Sequence, residues 1–194
     1  MNVMQGYRQL FKGIVLLSCL GGLAGCGVGS RVGDHMDGGL GDLLFTRDKQ
    51  LNVQLKGDDK LNPDQAGQPL SVEIRIYQLN AINTFRNADM SALWADGKKV
   101  LGDTLLSERT VTLVPNGTLT DSSKLSAEAQ YIGVAAFFRS SAGATWHVAM
   151  SAQDLRKDGI LFSSEGVQLT LKGNRIEVVR GKDVLVPTAA KAKR

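Results

Sequence analysis

The chain has 194 residues, a formal net charge of +4 and only 6% aromatic residues. Arg8 and Lys12 lie near one end and Lys191, Lys193 and Arg194 at the other, so the body between them is close to neutral. The basic end reads as solvated, and no basic stripe interleaved with aromatics is present, which argues against a nucleic-acid partner.

Residues 1–12 contain no acidic side chain, and residues 13–24 form a short apolar stretch broken by Ser18 and small glycines. A charged start followed by such a run is a secretory signal. It is too short for a transmembrane helix, which needs about 20 apolar residues. Leu23-Ala24-Gly25-Cys26 resembles the lipobox of bacterial lipoproteins. The small side chains fit the peptidase at the cut, and the thiol accepts the lipid. The resemblance implies diacylglyceryl transfer to Cys26, cleavage before it and acylation of the new amino terminus. The plain alternative is an ordinary signal with an incidental cysteine. Cys19 leaves with the signal, so a lipidated Cys26 leaves no disulfide, thiolate nucleophile or cysteine metal ligand. Several acyl chains at ~0.8 kcal/mol per buried CH₂ make the anchor effectively permanent. Gly27, rather than Asp, follows Cys26, which by resemblance to the sorting rule of enteric lipoproteins implies the outer membrane.

Six of the fifteen residues 27–41 are glycine, which reads as a flexible tether. About 20 such residues span on the order of 25 Å. The expected organisation is residues 1–25 signal peptide, 26–47 lipidated Cys and tether, 48–187 a β-sandwich and 188–194 a basic tail.

Beyond the tether the periodicity is two. Leu51, Val53 and Leu55 alternate with polar residues, as do Val72, Ile74 and Ile76. Both runs predict strands with one buried face. Further strands are predicted over residues 110–114, 131–139, 146–149, 167–172 and 175–179, with Gly173-Asn174 as a tight hairpin or part of a slightly longer loop. About seven strands suit a sandwich, and the near-continuous apolar run in "YIGVAAFFR" suits a central strand. Residues 83–97 predict a helix, with Asp89 capping a second turn and Gly97 ending it. Residues 151–159 predict another, with Ser151 as its cap.

Residues 57–70, "GDDKLNPDQAGQPL", form a long connection between the first two strands. Pro63, Gly67 and Pro69 fix its shape, and Asp58, Asp59, Lys60 and Asp64 make it polar. It is either a binding loop on a rigid scaffold or a solvated connection. Catalytic patterns are missing. His35 lies in the tether and His147 in a strand, with no metal-ligand spacing between them. No G-x-S-x-G elbow occurs, and "GVGSRVG" lacks dinucleotide-binding spacing. Asp58 and Asp59 are adjacent but lack calcium-loop spacing. "NGT" at Asn116 reads as a turn. No cofactor is expected.

"LNPDQAGQPLSVEIRIYQL" (residues 61–79) resembles the corresponding stretch of the TssJ family, outer-membrane lipoproteins of type VI secretion. "TFRNADMSALW", "LLSERTVTLVPNG" and "YIGVAAFFR" followed by Trp146 match the family's order, whereas the tether and residues 42–48 match no family pattern. The resemblance implies an all-β, two-sheet, transthyretin-like β-sandwich with short inserted helices and no enzymatic activity. It implies a lipid-anchored protein on the periplasmic face of the outer membrane that binds the periplasmic C-terminal region of TssM. That places it in a multi-subunit membrane complex with TssL. By the same resemblance residues 57–70 contact TssM, with Asp58, Asp59, Lys60, Leu61, Asn62, Asp64 and Gln65 as exposed contacts and Pro63 shaping the loop. The alternatives are a periplasmic lipoprotein binding a glycan or lipid between its sheets, and an enzyme using Asp or Glu.

Overall fold

The computed structural model describes residues 50–157, 160 and 166–187. The signal, Cys26, the tether and the basic tail lie outside the described residues.

Among the described residues nine strands form two sheets. The first contains β1 (Gln50–Gly57), β4 (Thr118–Lys124), β7 (Val167–Lys172) and β8 (Arg175–Arg180), in the order β4-β1-β7-β8. The second contains β2 (Val72–Leu79), β3 (Leu105–Leu113), β5 (Tyr131–Ala136), β6 (His147–Ser151) and β9 (Leu185–Val186), in the order β3-β2-β5-β6-β9. Among the described strand pairs β1–β7 alone is parallel, Val53 facing Val167 and Gly57 facing Leu171.

The alternation of residue types dictates the layers. Leu51, Val53 and Leu55 of β1 meet Ile74 and Ile76 of β2 and Ile132 and Val134 of β5 in one buried cluster between the sheets. Among the described residues that space is filled with mostly aliphatic side chains. The opposite parity of the five-stranded sheet, Tyr77, Leu79, Ala135 and Ala149, carries a second apolar cluster. Two helices cover it: α1 (Asn83–Asn87) through Phe85, and α2 (Met90–Leu101) through Leu93 and Leu101. A short α3 (Ala152–Lys157) follows β6 directly.

The single helix expected over residues 83–97 is two. The chain is extended at Ala88 and Asp89, and Asp89 occupies the cap position of α2 without a side-chain cap bond. Gly97 does not end α2. The helix kinks at Asp96 (φ −159°, ψ 78°) and continues, with Gly97 buried against the sheet. At α3 the cap holds, since the Ser151 hydroxyl accepts the Asp154 N–H at 3.2 Å. Two strands were not expected. β4 reads TLTDSSK and lies at a sheet edge, where only Asp121 is fully buried. Its carboxylate is held by Arg109 of the other sheet, whose Nε donates at 2.8 Å. β9 is two residues long. β3 begins at Leu105 rather than at residue 110, and β5 ends at Ala136 rather than at 139. The hairpin at Gly173-Asn174 is tight, with Gly173 at φ +56°. A positive φ at the first central residue alone is the type II′ pattern that suits sheet twist.

Candidate functional site

One end of the sandwich gathers four connections: residues 57–71, the β3–β4 turn, the β5–β6 loop and the β7–β8 hairpin. The long loop is built into this end. The Asp58 N–H donates to the Leu171 carbonyl at 3.0 Å, extending the β1–β7 pairing by one step. The Asp58 carboxylate accepts the N–H groups of Lys60 (3.1 Å) and Gly173 (3.2 Å). Asp64 closes a turn within the loop, its carboxylate accepting the Ala66 and Gln68 N–H groups at 2.8 and 2.9 Å. Gly67 takes φ +81° at the tip.

Two of the expected contacts are corrected. Leu61 is fully buried and Asn62 is 6% exposed, so neither is an exposed contact. Leu61 folds back into the inter-sheet core. Asn62 sits at φ +47° and fastens three elements together. Its Nδ2 donates to the Ser71 carbonyl at 2.7 Å, its Oδ1 accepts the Arg139 N–H at 2.7 Å, and its own N–H donates to the Gly173 carbonyl at 2.8 Å. Asp58, Pro63 and Asp64 are partly exposed; Asp59, Lys60 and Gln65 are exposed. The side chains available to a partner are therefore Asp59, Lys60 and Gln65, with Pro63 and Asp64 at the edge of a cleft. That cleft, about 690 Å³, is walled by Pro63, Asp64 and Gln65 on one side and by the β5–β6 loop and Asn174 on the other.

Sequence reasoning passed over a second feature. Arg75 on the outer face of β2 lies 5.3 Å from the Trp94 ring centroid and 4.7 Å from that of Phe137. Its Nη1 and Nη2 donate to the Leu93 and Trp94 carbonyls at 2.9 and 3.3 Å, and its Nε to Glu73 at 2.8 Å. Burial works against the charge, but the hydrogen bond to Glu73, together with Tyr77 and the Glu73 charge, more than offsets it, and the Arg75 pKa is raised. Nearby, burial together with the charge of Glu108 pushes the Tyr77 hydroxyl up to about 12, which keeps it neutral. Trp94 packs on Phe137 at 5.1 Å yet is 50% exposed. The only signal for it in the sequence is a Trp directly beside the buried Leu93, turned off the apolar stripe of the helix. Among the described residues no cluster of His, Cys, Asp and Glu is placed to hold a metal, and no helix is long and apolar enough to cross a membrane.

The profile of the family described as "Type VI secretion lipoprotein, VasD, EvfM, TssJ, VC_A0113" matches residues 49–174. The match spans the two sheets through β7, and the chain belongs to this family of secretion-system lipoproteins. Among solved structures, TssJ1 from Pseudomonas aeruginosa is 23% identical (TM-score 0.58), with 72% of this chain and 97% of that one covered. Serratia marcescens Lip, described as a membrane bound component of the Type VI Secretion System, is 24% identical (TM-score 0.59; 68% and 97% covered). A chain of the structure described as "T6SS protein TssM C-terminal domain (869-1107) from EAEC" is 27% identical (TM-score 0.58; 68% and 98% covered). No curated protein sequence matches. The expected two-sheet β-sandwich with short helices is thus the fold of both this chain and its structural relatives.

Proposed function

We propose that this lipoprotein is anchored in the outer membrane through Cys26 and holds the type VI secretion membrane complex together by binding the periplasmic C-terminal region of TssM, alongside TssL. The observation that carries the reading is the family match over residues 49–174, which includes the whole of the long loop. The likeness to a chain in a TssM-domain structure, 27% identical over 68% of this chain, supports the choice of partner. The role is structural: lipid gives location, the tether gives reach, and residues 57–70 give a shaped polar surface. Confining both partners to the periplasmic gap raises their effective concentration, so a modest docking surface suffices.

The test is calorimetry of the chain from residue 26, carrying Cys26→Ser, against the periplasmic C-terminal region of TssM from the same bacterium. Beside it runs a variant with Asp59→Lys, Lys60→Glu and Gln65→Lys, which leaves the buried Leu61 and Asn62 and the turn-closing Asp64 intact. At least tenfold weaker binding by the variant, at an unchanged melting temperature, is expected. Equal binding by both moves the site off the loop. No binding by the parent chain removes the adaptor reading.

A further inference from the structure

The polar cleft at the loop has a neighbour. A second concavity, about 330 Å³, is lined by Met90, Ser91, Trp94, Phe137, Phe138 and Arg139 and is mostly apolar. Arg139 lines both hollows. It is the ridge between them, held in place because its backbone N–H is bound by Asn62 at 2.7 Å. Its exposed guanidinium meets no carboxylate and no hydrogen-bond acceptor among the described residues. The Asp64 carboxylate, on the far wall of the cleft, is already committed to the Ala66 and Gln68 N–H groups.

We propose that the TssM-binding surface runs from the loop, over Arg139, into the Trp94 groove, and that the groove takes one apolar side chain of that partner with a carboxylate beside it on Arg139. This rests on the reading of residues 57–70 as the partner-binding loop. Three observations set the chemistry of the occupant. The groove is apolar and of a size for one large aliphatic or aromatic side chain. An unpaired guanidinium at its rim calls for an anion, and a planar fork binds a carboxylate in two-point fashion. The groove shares Arg139 with the loop cleft, so one partner reaches both. Trp94 is also held before anything binds. Arg75 grips the carbonyls of Leu93 and Trp94 and stacks with Phe137, which keeps a half-exposed indole in one place. A pre-ordered aromatic loses little freedom on docking. Trp and Arg are the residue types that most often dominate an interface.

The experiment uses the same chain and the same TssM region, with Trp94→Ala, Ser91→Phe and Arg139→Gln measured beside the loop variant. Ser91→Phe fills the groove from its exposed rim without removing a packed side chain, so it reports on the groove even where Trp94→Ala loosens α2. The expected result is at least tenfold weaker binding for Trp94→Ala and Ser91→Phe. For Arg139→Gln a loss of threefold or more is expected, together with a shallower dependence of affinity on salt. In a Trp146→Phe background, Trp94 emission shifts to shorter wavelength on mixing. Full-strength binding by all three groove variants, with loss only in the loop variant, overturns this inference and leaves the proposed function standing. No binding by the parent chain removes both. Should the chain alone sediment as a dimer that Trp94→Ala converts to a monomer, the groove belongs to a second copy and the inference fails.

Discussion

Asn62 shows why a residue type alone misleads. As a polar residue in a polar loop it reads as exposed, yet it is buried with both side-chain amide atoms bonded, to Ser71 and to Arg139. Nothing in the local sequence says that the chain folds back at Leu61 to bring Ser71 and Arg139 within reach. Asn62→Ala leaves the Ser71 carbonyl and the Arg139 N–H, both in part-buried bonds, without their Asn62 partners, and a loss of about 1–3 kcal/mol is expected in urea unfolding. An unchanged midpoint would show that water replaces both bonds. His147 carries a pH dependence. Its ring lies against Trp146 and Phe85, and burial lowers its pKa below the ordinary 6.5, opposed in part by a hydrogen bond to the Arg86 backbone. The unfolded chain therefore takes up the proton more readily than the folded one. The stability from neutral His147 is complete above about pH 6.5 and is lost as pH falls from there through the depressed folded value. Urea midpoints between pH 7.5 and 5 should fall more steeply for the parent chain than for His147→Phe. Parallel curves would assign the acid sensitivity to other groups.

Among the elements, those with a strict period of two were legible and those without it were not. β1 and β7 alternate throughout, and β2 over its first half, because one face of each meets the inter-sheet core. β4 is an edge strand whose buried inward position is an aspartate neutralised by Arg109 from the facing sheet, a pairing that only the three-dimensional arrangement reveals. The loop of residues 57–70 stood out by its length and its prolines, but the groove beside it did not. Its walls come from α2 and the segment just after β5, more than 40 residues apart, and join only when the helix lies on the sheet. The companion contact of α1 with the sheet depends on Gly133. A Cβ there would stand 2.8 Å from the Phe85 ring, closer than packing allows. Gly133→Ala should cost about 1–3 kcal/mol through this overlap. Adding Phe85→Leu should recover part of the loss, and an additive double variant would mean that the two side chains do not meet.

At the scale of the whole molecule, the lipobox reading makes Cys26 the sole anchor. Cys26→Ser should leave a folded chain in the soluble periplasmic fraction and abolish secretion. Normal fractionation with the outer membrane would end the lipoprotein reading for this cysteine. The position of β1 adds a mechanical consequence. The strand follows the N-terminal segment, runs between β4 and β7, and passes straight into the loop proposed to bind the partner. A pull between a membrane anchor at Cys26 and a partner held on that loop is thus directed along the strand. Its hydrogen bonds to β4 lie across the line of force, seven residue pairs from Gln50 to Lys56, with five more pairs to β7. Loaded in shear, these bonds resist together rather than opening one after another. A machine that strains the gap between two membranes would, through this loop, load the sandwich in its strongest direction.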